Sequence, residues 1–292
     1  MLEKHRALLK RIEANLELVA MRGFERIRRA HKQKVLAKLR QTEPVFILGV
    51  QKSGTTAIAA LLAEATGLPA TLDITRAINR PGAKILRRYG VEGFDDFIYR
   101  YRKEFSRKIV KEPGLTFDYE CLRTYFPKAR FVMIMREPKD NIRSILNRLK
   151  VPGNLKELDP EEWPELKRSP AWRINLDSSW LGHWPESYVD SLAYRWRLSA
   201  ETYFSQPEAF ILIRYEDFLA DKKGIVEGLA QNLGFGIASD VAGKVDNQYQ
   251  SKGKRVMDYE EYYGGNIACI RQQCGDFSER LGYSSRLPKS TK

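Results

Sequence analysis

Cysteine is scarce in this chain, with only Cys121, Cys269 and Cys274 among 292 residues. An odd, sparse set argues for reduced thiols and against a fold stapled by disulfides. Cys269 and Cys274 have no neighbouring histidine, so they lack the spacing of a zinc site. Long apolar runs are missing too. No stretch reaches the roughly 18 residues that a membrane-spanning helix needs. The opening segment MLEKHRALLKRIEANLELV scatters charges where a signal peptide would be apolar, so a cytoplasmic chain is expected. Acidic residues are outnumbered: 37 Asp and Glu face 50 Lys and Arg, a formal net charge of +13 with a pI near 9.6. Such a surface attracts anions, whether nucleic acid, acidic membrane, polyanionic glycan or a phosphate-rich cofactor, and charge alone does not choose among them. There is no internal repeat and no low-complexity tract.

The length and the 43% hydrophobic content suit one large α/β domain with an extension. Residues 1–40 are read as that extension and residues 41–292 as the domain. The extension has no proline and carries apolar residues at helical spacing (Leu9, Ile12, Leu16, Val19, then Phe24, Ile27, Val35, Leu39), which predicts one or two amphipathic helices. Twelve Lys or Arg against four Glu make it basic. Two readings stand: peripheral contact with an anionic membrane surface, or a helix packed on the domain with a solvated basic face. Neither His5 nor His31, both in this segment, is assigned chemistry.

Beyond Pro44 the pattern changes. VFILGV (45–50) reads as a buried strand, and TAIAALLAEATG after it reads as a helix closing on Gly67. Further strands are expected at Lys108 to Val110, at ARFVMIM (129–135) and at AFILIRY (209–215), with helical sequence between them. Strand and helix in alternation predict a central parallel sheet flanked by helices. All five tryptophans (Trp163, Trp172, Trp180, Trp184, Trp196) fall between Pro152 and Ser205, where they serve either as packing or as flat faces for sugar rings and hydrophobic acceptors.

The loop between the first strand and its helix is the most informative segment. A glycine-bearing turn at a helix N-terminus exposes backbone N–H groups and the positive end of the helix dipole, which makes an anion site. Gly49 and Gly54 have the separation of a P-loop, G-x-x-x-x-G-K-S/T, but Thr55 stands where the lysine belongs and Lys52 lies two residues before the second glycine. Gln51, Lys52, Ser53, Gly54, Thr55 and Thr56 resemble the 5′-phosphosulfate loop of the sulfotransferases that use 3′-phosphoadenosine 5′-phosphosulfate (PAPS). Downstream, Arg136-Glu137-Pro138-Lys139-Asp140-Asn141, with Ser144 eight residues after Arg136, resembles that family's 3′-phosphate motif. An arginine fork and a hydroxyl on the next helix can grip one phosphate together.

Two shorter matches agree. Tyr215-Glu216-Asp217-Phe218 resembles the family's Tyr-Glu-Asp segment, whose tyrosine lies near adenine. Ser251-Lys252-Gly253-Lys254-Arg255 resembles the C-terminal basic glycine loop that closes over the 3′-phosphate. The resemblance spans roughly residues 44 to 283 and implies a P-loop-like sulfotransferase fold, PAPS as donor, 3′-phosphoadenosine 5′-phosphate (PAP) as product, and no metal. Ala57 stands where the cytosolic small-molecule branch has a tryptophan stacked on adenine, so adenine must be held otherwise.

The resemblance implies that Lys52 stabilises or protonates the leaving oxygen with help from Thr55 and Thr56. A general base must also reach the acceptor hydroxyl. Lys111-Glu112-Pro113 has no histidine where the cytosolic branch has one, and it resembles the Lys-Thr-Pro segment of the glycan-modifying branch. Glu112 and Asp73 are the carboxylate candidates, each open to the alternative of a structural ion pair with Lys111 or Arg76; His183 is the third. The expected acceptor is a glycan, a glycolipid or a hydroxylated metabolite, through a hydroxyl in preference to an amine. Two other functions compete. A P-loop kinase would require Mg²⁺ and an acidic strand end in place of Arg136, and a polyanion binder would use the basic helices, although no nucleic-acid motif is present. The oligomeric state is left open.

Overall fold

The computed structural model describes Lys10, Met21, residues 24–244 and residues 258–283. At its centre is a five-stranded sheet: β1 (Val45–Leu48), β2 (Ala70–Thr71), β3 (Ile109–Lys111), β4 (Arg130–Met135) and β5 (Phe210–Arg214). Every pairing is parallel and the spatial order is β2-β3-β1-β4-β5. Four strands fall where the apolar runs predict them. β2 does not, because its two residues have no pattern of their own and are a strand only through pairing with β3.

The strands are short and apolar because both faces are covered. Side chains alternate across a strand, and here Phe46 and Leu48 join one core while Val45 and Ile47 join the other. β4 divides likewise, with Phe131, Met133 and Met135 on the first side and Val132 and Ile134 on the second. The helices Thr55–Thr66 and Lys222–Asn232 bury Ile58, Leu62, Val226 and Leu229 on the second side. On the first side lie Tyr188–Ser205 and Ile267–Arg280, with Trp196 wholly buried between them and the sheet. Gly67, in the left-handed region at φ 66°, ends the helix Thr55–Thr66 as the sequence predicts.

From β1 the chain moves out to β2, returns through β3, and only then crosses to β4 and β5. The order therefore reverses at β1, and the carboxyl end of a strand at such a switch point is where open α/β sheets bind ligands. The phosphate-type loop occupies that place.

A helix over 24–40 lies against the domain. Leu36 and Leu39 are buried, Lys32 pairs with Asp96 at 2.5 Å, and Arg40 pairs with Asp95 at 3.3 Å. Phe24 and Ile27 depart from the expected apolar stripe: they are 69% and 71% exposed, because contact with the domain begins only further along the helix. Lys252, Gly253 and Lys254, together with most of residues 1–23, lie outside the described residues.

Candidate active site

The loop after β1 is shaped by close approaches that only particular residues tolerate. Gly49 has φ +130°, and a Cβ there would lie 2.4 Å from the carbonyl oxygen of Ile134. Gly54 has φ +92°, and its missing Cβ would fall 2.3 Å from the Tyr215 ring. Lys52, a non-glycine, also has positive φ, at 66°. Such a conformation is strained for an L-residue and persists where the surroundings over-determine it. Gly54 is the N-cap of the helix Thr55–Thr66 and supplies no side-chain cap, so the helix's N-terminal end opens onto the loop.

The next strand and helix hold the loop. Arg136 Nη1 donates to the Lys52 carbonyl at 2.9 Å, which explains how Lys52 is kept in its strained conformation. Asn141, 1% exposed on the helix Pro138–Leu149, donates through Nδ2 to the Gln51 carbonyl at 2.9 Å and to Ser53 Oγ at 3.0 Å. Glu137 caps that helix by accepting from Asp140 N at 2.8 Å, and Glu216 Oε1 accepts from Glu137 N at 3.0 Å. Burial raises the pKa of Glu137 despite the opposing charge of Lys139. Ser144 lies one turn beyond Asn141, on the same helix face by its i,i+3 spacing, and is half-buried. Tyr215 starts the helix after β5; its ring packs on Gly54, and the Arg136 guanidinium carbon sits 4.7 Å from the ring centre.

From the opposite side, Thr116 clasps the loop, accepting from Gly49 N at 2.9 Å and donating to the Gly49 carbonyl at 3.1 Å. Behind Arg136, Trp196 Nε1 donates to its carbonyl at 2.8 Å. The surroundings of the loop are cationic. Partial burial, then the charges of Arg136 and Arg148, lower the Lys52 pKa to about 8. A lysine so tuned binds an anion strongly and gives up its proton near neutral pH.

The three base candidates are not equivalent. Glu112 is 4% exposed, and both its oxygens are taken: Oε1 accepts from Gly114 N at 3.0 Å and Oε2 from Ile74 N at 3.3 Å. It thereby caps the 3₁₀ turn Pro113–Asp118. Asp73 follows β2, accepts from Lys111 Nζ at 2.7 Å, and keeps 39% of its side chain exposed. Burial raises its pKa, against the pull of Lys111. His183 lies elsewhere, before the helix Tyr188–Ser205. Its Nε2 is 2.8 Å from Asp190 Oδ2 and its ring stacks on Tyr194 at 4.2 Å between centroids.

Gln51, Lys52, Ser53, Gly54, Thr55, Thr56, Arg136 and Tyr215 are thus drawn into one constellation, with Ser144 on the helix face beside them. Sequence reasoning gave no role to Asn141, Thr116 or Arg148, and read Trp196 only as packing or as a flat acceptor face. Asn141 lies inside the quoted Arg136 motif and could have been found there; Thr116 and Arg148 carry no local signal, and nothing local points Trp196 at the Arg136 carbonyl. The tryptophans divide: Trp180 and Trp196 are buried, whereas Trp184 is 84% exposed.

Among solved structures the chain is similar to the sulfotransferase domain from the curacin biosynthetic pathway (13% identity, TM-score 0.46, 82% of this chain and 97% of that one). It is also similar to sulfotransferase STF9 from Mycobacterium avium (12%, 0.48, 82% and 76%) and to mouse sulfotransferase SULT7A1 complexed with PAP (12%, 0.49, 86% and 93%). No curated protein matches the sequence. The model of the sulfotransferase family matches residues 76–238, more than half of the chain, and the protein belongs to that family.

Proposed function

We propose that the protein transfers a sulfuryl group from PAPS to a hydroxyl, or less readily an amine, of a glycan, glycolipid or hydroxylated metabolite. The observation that carries the donor assignment is the bond from Arg136 to the Lys52 carbonyl, which couples a 5′-phosphosulfate loop to a cation at the end of β4. A nucleotide with phosphates at both the 5′ and 3′ positions matches two such centres, with Arg136 and Ser144 on the 3′-phosphate and Tyr215 beside the base.

Sulfuryl transfer proceeds in line through a loose transition state whose negative charge gathers on the bridging oxygen that leaves. Lys52 and the Thr55 and Thr56 amides meet that charge from a fixed loop, so little reorganisation is needed. The lowered pKa of Lys52 suits it to pass its proton to the leaving phosphate oxygen. Asp73 accepts the proton of the acceptor hydroxyl. Its side chain is reachable and its proton affinity is raised, whereas Glu112 is occupied by backbone amides and supports the turn that holds Thr116. A second reading gives the base role to His183, since Asp190 fixes one ring nitrogen in the manner of an oriented general base.

Calorimetric titration with PAP, and with ATP in the presence and absence of Mg²⁺, tests the donor assignment. The expected result is metal-independent PAP binding that Arg136→Ala weakens at least about tenfold, the scale of one charge-assisted hydrogen bond. Tighter binding of Mg²⁺-ATP than of PAP would refute the assignment.

A further inference from the structure

Two residues far apart in sequence hold the donor site from behind. Thr116, in the turn Pro113–Asp118, clasps Gly49 at the start of the loop, and Trp196, in the helix Tyr188–Ser205, donates to the Arg136 carbonyl. Their immediate neighbours, Phe117 and Arg195, meet. The Arg195 guanidinium carbon lies 4.6 Å from the centre of the Phe117 ring and 5.8 Å from that of Trp180, whose ring stands edge-on to Phe117 at 6.3 Å between centroids. Successive side chains on a helix diverge by about 100°, so Arg195 and Trp196 reach two different parts of the site from a single turn.

Arg195 is 2% exposed, and burial lowers its pKa to about 9, which leaves it charged at neutral pH. Its Nη2 donates to the neutral amide oxygen of Asn175 at 3.0 Å. Among the described residues its buried Nη1 has no hydrogen-bond partner, and no carboxylate offsets its charge. Lys84, near enough for its own pKa to be lowered by Arg195, has the same sign. Well-packed apolar side chains are often at least as stable as buried charges, so space-filling alone does not account for a cation here. What a guanidinium adds over an aliphatic chain is a directional contact with an aromatic face, and that contact strengthens where water is excluded.

We infer that Arg195 is a positioning residue of the donor site: its contact with Phe117 ties the turn that holds the loop to the helix that holds Arg136, and so sets the span between the 5′- and 3′-phosphate subsites. The inference rests on the PAPS reading above and deepens it. A nucleotide with phosphates at both ends must match that span, whereas one with a single phosphate needs only one subsite. The tie therefore favours the bisphosphate without touching it.

The test titrates the wild type, Arg195→Met, Phe117→Leu and the double variant with PAP, adenosine 5′-phosphate and adenosine 3′-phosphate by calorimetry. Each single variant should weaken PAP about tenfold, within the worth of one desolvated cation–π contact, while both monophosphates stay within about twofold of their wild-type affinity. The double variant should lose no more than either single one, because all three remove the same tie. Arg195→Met should melt no earlier than the wild type, since an apolar side chain replaces a buried charge. Equal weakening of all three nucleotides, unchanged PAP affinity or additive losses would overturn the tie. Hydrogen exchange without nucleotide reads it independently of the donor. Arg195→Met should speed exchange of the Gly49 N–H, and Phe117→Leu that of the Trp196 indole N–H, about tenfold each, although each reporter lies on the far side of the contact. Unchanged exchange at both would overturn the positioning role whatever the nucleotide does. A wild type that does not prefer PAP to the monophosphates, with exchange altered as expected, would sink the donor reading alone. If Arg195→Met does not fold, Phe117→Leu decides.

Discussion

Raising the pH through 8 removes the Lys52 proton well before an ordinary lysine would lose its own, and the affinity for PAP should fall with it. Partial burial and the like charges of Arg136 and Arg148 bring the Lys52 pKa from 10.5 to about 8 in the ligand-free protein. An anion seated on the loop offsets that repulsion, so the bound state holds the proton more tightly. Full restoration to the ordinary value would set a ceiling of roughly 300-fold on the loss of affinity between pH 8 and 10.5. Lys52 is only half-buried, and screening by the solvent on its open side reduces the expected loss to about tenfold by pH 9.5.

Fold stability moves the other way. A lysine with a depressed folded pKa binds its proton more strongly when unfolded, so its contribution to stability rises as pH climbs from about 8 toward 10.5. Calorimetric dissociation constants for PAP at pH 7, 8, 9 and 9.5, beside unfolding midpoints at the same pH values, read both trends. Lys52→Arg keeps its charge throughout and should show no affinity loss that begins near pH 8. A flat wild-type profile to pH 9.5, or the same decline in Lys52→Arg, would refute the placement of Lys52 against the bound anion.

Two further outcomes follow from the loop geometry. Gly54→Ala forces an L-residue into positive φ and drives its Cβ into the Tyr215 ring, costing about 1–2 kcal/mol for the backbone and about 1–3 kcal/mol for the clash; PAP affinity should drop at least tenfold while the circular dichroism spectrum stays that of a folded α/β protein. Asn141→Ala leaves the Gln51 carbonyl and the Ser53 hydroxyl short of a donor, and chemical denaturation should register a loss of about 1–3 kcal/mol.

Much of the frame was legible because its causes are short-range. A strand covered on both faces is apolar at most of its positions, so β1, β3, β4 and β5 stand out as largely apolar runs. β2 does not, since Ala70 and Thr71 gain strand character only from the neighbour that pairs with them. The loop from Gly49 to Thr56 was legible because its glycines answer to backbone geometry within a few residues. Even there, the particular obstacles, the Ile134 carbonyl and the Tyr215 ring, come from distant parts of the chain. The helix over 24–40 shows the reverse failure: Phe24 and Ile27 fit the apolar period, yet among the described residues they stay mostly exposed.

Sequence by itself determined the alternation of strand and helix, the glycine-bearing loop before the first helix and the Arg136–Ser144 spacing, because each is written within about ten residues and follows from backbone sterics and hydrophobic periodicity. Tertiary structure decided what those groups can do. It set the proton affinity of Lys52 through burial and two arginines, committed Glu112 to backbone amides while leaving Asp73 reachable, and brought Lys84 and Arg195 together from opposite sides of the chain's course. Charge, burial and hydrogen-bond satisfaction depend on what lies nearby in space, and in this protein most of those neighbours are remote in sequence.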